Sequence, residues 1–193
     1  MDLYECIRTR RSIRHYDPDR PVSDEDLRAV LRAASWAPSG ANAQPWHFYI
    51  VRNQALIGHM RAAVIEALPG DERVRRVETF FNAPCVIGVC LDTRLRPYHF
   101  APAGLVRSLD DVYNNPDFFS VAAAIQNLLL AAHARGLGTC WCKPRPVYRA
   151  ELERVLGTRP YHRLVANVAI GFCERAPAEP QRKPLDDICT FIG

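Results

Sequence analysis

The chain has 193 residues, 48% of them hydrophobic and 24% charged, which suits one buried core and a single domain over residues 1–193 and argues against disorder. A net charge of +4 is too mild and too scattered for a nucleic-acid-binding face, and seven cysteines without a secretion signal argue against a disulfide framework. The longest apolar run, 121–134, is broken by Gln126, Asn127 and His133, so no membrane span is expected. The N-terminus lacks a signal peptide's basic start and apolar stretch, so a cytoplasmic location is expected.

Residues 2–9 read as a short helix with Asp2 as N-cap, ending in the basic run Arg8, Arg10, Arg11 and Arg14. Ser23 opens a second helix with acids in its first turn and Leu27, Val30, Leu31 and Ala34 on one face. Pro38-Ser39-Gly40 stops it. Residues 47–52 read as a strand, 55–68 as a helix and 71–81 as another short helix. The apolar run 85–91 predicts a buried strand. Residues 92–117 read as a long irregular loop. Residues 118–135 form the longest predicted helix, apolar on most sides and so expected to be packed all round, with Gly136 as its stop. A strand at 139–142, a helix at 147–156 closed by Gly157, and a strand at 164–172 follow. The tail, 173–193, has no periodicity and is expected to run extended over a neighbouring surface. Strands and helices do not alternate one for one, which favours α+β over a doubly wound sheet. Neither a GxGxxG nor a GxxxxGK[ST] motif is present.

The cysteines at 85, 90 and 173 sit in strand-like runs and are expected to act as small core residues. Cys140-Trp141-Cys142 has neither zinc-pair nor CxxC spacing, and no histidine pair is spaced for metal, so no metal site is expected. Among the 25 basic residues only Lys143 and Lys183 are lysine. That bias reflects either genome composition or arginines with specific bidentate roles.

Three stretches carry candidate chemistry. Arg10-Arg11-Ser12-Ile13-Arg14 can either surround a phosphate monoester or form a solvated basic turn. Ala37 to Phe48 (APSGANAQPWHF) alternates small and polar residues, with backbone fixed by Pro38 and Pro45 and close approach permitted at Gly40. Asn42 and Gln44 there offer both donors and acceptors, either to a heterocycle edge or to the turn itself. Gln181-Arg182-Lys183-Pro184-Leu185 carries a basic pair that by itself reads as surface.

Taken together with the helix Ala124-Ile125-Gln126-Asn127-Leu128-Leu129-Leu130-Ala131-Ala132-His133, the Gly136-Leu137-Gly138 turn and Val168-Ala169-Ile170-Gly171, these stretches resemble the nitroreductase superfamily. The motifs cover most of the chain in the expected order. The resemblance implies a small mixed sheet flanked by helices, a domain-intertwined homodimer, and FMN at the subunit interface. It implies that Arg10, Ser12 and Arg14 hold the phosphate and ribityl chain, with Arg14 near the pyrimidine edge. Arg11 would add contacts, and Arg182 would complete the phosphate site. Pro38, Ser39 and Gly40 would come from the other subunit and cover the isoalloxazine, with Asn42 and Gln44 close by. Trp141, Cys142 and Lys143 would run past the flavin. No catalytic side chain is implied, because the flavin carries the chemistry.

The activity implied is ping-pong transfer of reducing equivalents from NADH or NADPH, as co-substrate, to a nitroaromatic, quinone or similar small acceptor. Two other readings stay open: an FMN-dependent dehydrogenase or oxidase of a small metabolite, and a flavin-binding protein without turnover. Three departures accompany the resemblance. Lys143-Pro144 stands where several relatives have an acid and a glycine. The chain is shorter than the larger bacterial nitroreductases. Its tail resembles a deiodinase-like branch, but residues 60–82 hold Glu66, Glu72 and Glu78 without the Tyr and Lys expected to clamp an amino-acid zwitterion, so iodotyrosine is not expected as the substrate.

Overall fold

The computed structural model describes residues 1–72, 74, 79–95, 116–173, 175 and 177–193. Helix α1 (Leu3–Thr9) starts where the Asp2 carboxylate accepts from the Glu5 N–H at 3.0 Å. Helix α2 (Asp24–Ser35) starts at a reciprocal cap: Ser23 Oγ accepts from Asp26 N–H at 3.0 Å and donates to the Asp26 carboxylate at 2.7 Å. Strand β1 (Trp46–Val51) leads to α3 (Gln54–Glu66), capped by Asn53. Strand β2 (Cys85–Asp92) is buried throughout. Helix α4 (Pro116–Ala134), β3 (Leu137–Cys142), α5 (Pro146–Leu156) and β4 (His162–Phe172) complete the chain's regular elements. Gly136 and Gly157 end α4 and α5 at φ +75° and +62°, a conformation that costs a Cβ-bearing residue.

The four strands form one antiparallel sheet in the order β1-β2-β4-β3. Its two faces are covered separately. Val30, Ala34, Val121, Ile125 and Leu128 of α2 and α4 pack on Ile87, Val89, Val168 and Ile170. Ile57, Met60, Val64 and Leu152 of α3 and α5 pack on Val86, Cys90, Leu164 and Ala169. The α+β expectation is thus met, with a helical layer on each side.

Several expectations need adjusting. Strand β4 starts at His162 rather than 164, because His162 pairs with Asp92 at the end of β2. Strand β3 starts at Leu137, which pairs with Phe172. Strand β1 and helix α3 both begin one residue earlier than expected, and α3 ends at Glu66. Helix α4 starts at Pro116, where proline's fixed φ suits a first helical turn. The expected helix at 71–81 and loop at 92–117 fall mostly outside the described residues, although Thr93–Leu95 form a 3-10 turn. Cys173 is exposed rather than core, since it lies just past β4, whereas Cys85 and Cys90 are buried. Nor is α4 packed all round: Phe119 is exposed and Ala122, Ala123, Leu130 and Ala131 are half-buried.

The expectation about membrane spans also changes. Over Asp117–Ala134, α4 has a mean hydropathy of 1.2 and is long enough to cross a bilayer by length and composition. In this fold its buried side chains Val121, Ile125, Leu128 and Ala132 instead meet α2 and the sheet.

One end of the sheet holds a polar plug. His162, 1% exposed, stacks on His47 with ring centroids 4.2 Å apart. Tyr49 Oη accepts from the Arg159 backbone N–H at 3.1 Å and lies 2.8 Å from His162 Nδ1. His162 Nε2 faces Asp92, 3.6 Å away. Asp92 also receives Arg94 in a two-point contact at 2.7 and 3.1 Å, which holds its carboxyl below the usual range. Burial holds both imidazoles below theirs, helped at His162 by His47 and at His47 by Arg159.

Two predictions follow from this packing. The unfolded chain protonates these histidines more readily than the folded one, so stability is full above about pH 6.5 and falls as pH drops below it. Urea melts at pH 7.5 and 5.5 should show this loss, and His162→Gln should make the loss smaller. Separately, a Cβ on Gly138 would lie 2.8 Å from Ile13 Cγ1. Gly138→Ala should therefore cost about 1–3 kcal/mol, while Gly58→Ala, in open space on α3, should stabilise by about 0.5–1 kcal/mol.

Candidate functional site

The basic run leaves α1 at its last turn, where Arg10 N–H donates to Cys6 O at 3.1 Å. Residues 12–17 then lie against the outer edge of β3 and the end of β4. Ser12 bridges Thr139, Ile13 N–H donates to Thr139 O at 2.8 Å, and Tyr16 bridges Cys173. Ile13 is buried in the space above Gly138, and Tyr16 is buried with its hydroxyl on Ile13 O at 2.6 Å. Ser12 is left half-buried and Arg14 exposed.

Positive charge gathers along this edge. Burial first, then Arg182, then Arg11, lowers the Arg10 pKa, so three guanidinium groups share one neighbourhood. Arginine stays charged under such pressure. Arg11 turns back on the chain: its Nη1 donates to Arg8 O at 2.6 Å and Arg10 O at 2.9 Å, and its Nη2 lies 3.5 Å from Glu179 Oε1. Among the described residues no carboxylate pairs with Arg10 or Arg182. The Arg14 charge acts on the thiols of Cys140 and Cys142, which places it beside β3 further along the strand. Trp141 and Lys143 are exposed there and Cys142 is half-buried. Arg10, Ser12, Arg14, Arg182 and the Trp141-Cys142-Lys143 segment thus fall along one edge of the molecule.

The second motif lies elsewhere. Pro38 to Gln44 connects α2 to β1, and β1 is the opposite edge strand from β3. Ser39 Oγ accepts from Gln44 N–H at 3.0 Å, and Gln44 Nε2 donates to Asn42 O at 3.3 Å. Ala41, Asn42 and Gln44 hold φ of 50°, 54° and 48°, left-handed positions that carry non-glycine residues. A Cβ on Gly40 would meet nothing within 4 Å. Non-glycine residues in this region store strain, which collects at binding surfaces. Among the described residues no hydrogen bond or ion pair joins this loop to Arg10, Ser12, Arg14 or Arg182.

Sequence reasoning missed four side chains near this edge. Thr9 Oγ1 and His133 Nε2 lie 2.8 Å apart, joining α1 to α4 just before Arg10. Glu179 reaches Arg8 and Arg11 from the tail at 3.9 and 3.5 Å. Asn167, paired with Cys142 across the sheet, is buried with no partner for its Oδ1 among the described residues. The Thr9, His133 and Glu179 contacts cross the fold and spacing does not reveal them, although Thr9 adjoins one quoted motif and His133 ends another.

The tail is exposed at every described residue from 177 on, including Leu185, Ile188, Phe191 and Ile192. Leu3, Tyr4 and Ile7 on α1 and Trp36 after α2 are exposed too. Cys142, by contrast, is shielded enough for burial to push its thiol up to about 11. Iodoacetamide at pH 7.5 should therefore alkylate Cys142 at least about tenfold more slowly in the folded chain than in the denatured one, as read by peptide mass spectrometry.

Comparison with known proteins adds to this geometry. Residues 7–172 match the Nitroreductase family. The chain is 29% identical to a nitrobenzene nitroreductase of Ectopseudomonas oleovorans, over 97% of this chain and 96% of that one. Among solved structures, a BluB-like flavoprotein from Clostridium difficile 630 matches at a TM-score of 0.80 and 27% identity, covering both chains completely. A protein from Desulfovibrio desulfuricans, solved in complex with FMN, matches at 0.76 and 29%, covering 100% of this chain and 98% of that one.

Proposed function

The chain belongs to the nitroreductase family, and from that premise we propose that it is an FMN-dependent oxidoreductase working as a homodimer. One observation carries the reading. Arg10 is half-buried, unpaired with any described carboxylate and crowded by Arg182 and Arg11. Such a cluster is costly unless an anion joins it, and a phosphate dianion fits its bidentate forks. The residues present therefore suit FMN, with Arg10, Ser12 and Arg182 toward the phosphate.

Arg14 lies beside Cys140 and Cys142, next to where Trp141, Cys142 and Lys143 would border the ring. A positive group there favours negative charge on the neighbouring ring edge. FMN held by Arg10, Ser12 and Arg182 would supply the redox chemistry for passing reducing equivalents from NADH or NADPH to a nitroaromatic, quinone or similar small acceptor. The chain's own task is to anchor, orient and cover. Pro38, Ser39 and Gly40, with Asn42 and Gln44 behind them, cover the ring of the other subunit. Their distance across the sheet from β3, the open space over Gly40 and the exposed apolar residues of α1 and the tail all favour a second copy of the chain. A cytoplasmic location is consistent with this reading.

The purified protein should be yellow and dimeric, and anaerobic NADH or NADPH should bleach it within seconds. Bleaching only by a small metabolite would replace the reductase with a dehydrogenase, and no bleaching by either would leave a binding protein. Arg10→Ala should weaken FMN by at least about tenfold, the loss of one charged hydrogen-bond partner, while the dimer persists. Unchanged FMN occupancy in that variant overturns the phosphate assignment.

A further inference from the structure

Helix α1 is held on α4 by two side-chain contacts. Cys6 Sγ lies 3.3 Å from Leu130 O, and one turn later the Thr9 hydroxyl lies 2.8 Å from His133 Nε2. Thr9 Oγ1 donates to Glu5 O at 2.7 Å, so its hydrogen is committed. The hydroxyl then accepts, and His133 Nε2 is the protonated nitrogen that donates to it. Thr9 is the last residue of α1 and Arg10 follows directly, so this bond fixes the point from which the anion-binding segment departs.

We propose that His133 is a positioning residue for the anion site, acting through the Thr9 hydroxyl to set where Arg10 presents its guanidinium. The proposal rests on the FMN reading for the identity of the anion and on the Thr9–His133 contact for the role.

The surroundings make this contact responsive to charge. Arg10 and Arg11 face the ring from the segment after α1, Glu5 faces it from α1 itself, and the ring is half-buried. Burial first, then Arg10 and Arg11, hold the imidazole below its ordinary range, while Glu5 opposes them. An anion settling on Arg10 and Arg182 offsets the two arginines and lets the ring accept a proton more readily. Binding is then linked to proton uptake at His133, and by reciprocity a lower pH favours binding through this residue. The Nε2–H that donates to Thr9 is present in both protonation states, so the tether survives the change.

The test uses FMN titration by fluorescence quenching. His133→Leu and Thr9→Val break the same contact from either side, and each should weaken FMN by about three- to tenfold, one hydrogen bond's worth. His133→Gln keeps a donor and should stay within about twofold of the wild type at pH 7.5. Between pH 7.5 and 5.5 the advantage of wild type over His133→Gln should grow, and the NMR-observed His133 titration should move to higher pH when FMN or inorganic sulfate is added.

Should His133→Leu fail to fold, Thr9→Val decides. Wild-type affinity in Thr9→Val, or a His133 titration unmoved by either anion, overturns the proposal while leaving the FMN reading intact. If the wild type takes no FMN, that reading falls by itself. The sulfate arm then decides alone: a shifted His133 titration upholds the positioning role at an anion site, and an unshifted one ends it.

Discussion

Ile13 occupies the hollow that the absent Gly138 side chain leaves on β3, with the Ile13 N–H on Thr139 O beneath it. Residues 10–16 have no strand of their own, so this contact and the bridges at Ser12 and Tyr16 decide where they run. Burying an isoleucine is worth about 1.5–3 kcal/mol, which outweighs any single surface ion pair nearby. With Ile13 inward, its neighbours Ser12 and Arg14 stay at the rim. The charged edge is thus a by-product of apolar packing. The fold spends its hydrophobic contact on residue 13, and the polar residues on either side of it are delivered to solvent.

The same economy explains why the two motifs lie apart. Antiparallel pairing puts β2 and β4 in the middle of the sheet, where both faces are covered, and leaves β1 and β3 as edges. The loop with Ser39 and Gly40 enters β1, and the arginine segment rides on β3, so one chain presents them on different sides. Strain at Ala41, Asn42 and Gln44 persists because Ser39 Oγ and the Asn42 carbonyl hold the turn from within. The loop is fixed from within, and the space over Gly40 is left open by its own chain.

Much of the fold was legible because its signals are local. Caps at Asp2 and Ser23, glycines past α4 and α5, and the continuous apolar run of β2 each identify an element without reference to the rest. What was missed depends on partners distant in sequence. Strand β4 extends to His162 because Asp92 and Tyr49 satisfy a buried imidazole, and nothing in a His-Arg pair announces a strand. Cys173 read as core by its neighbours, yet β4 ends one residue before it. At the candidate site the arginines were legible as a cluster, but the bond between Thr9 and His133 crosses from α1 to α4 and leaves no period to read.

The arginine excess itself separates into two kinds. Arg94 lies bidentate on Asp92, Arg135 spans Asp26 and Glu25, Arg145 meets Asp71 and Arg154 meets Glu151. Each of these charges is answered by a carboxylate within the fold, at the surface or, for Arg94, at the buried Asp92. Arg10 does not fit that account. It is half-buried, its strongest charged neighbours are Arg182 and Arg11, and the nearby Glu179 is engaged with Arg8 and Arg11 instead. Gathering like charges at a partly desolvated point lowers the stability of the empty chain. That is the difference between Arg10 and the paired arginines: their charge is answered by carboxylates within the chain, and that of Arg10 is not answered by any described carboxylate.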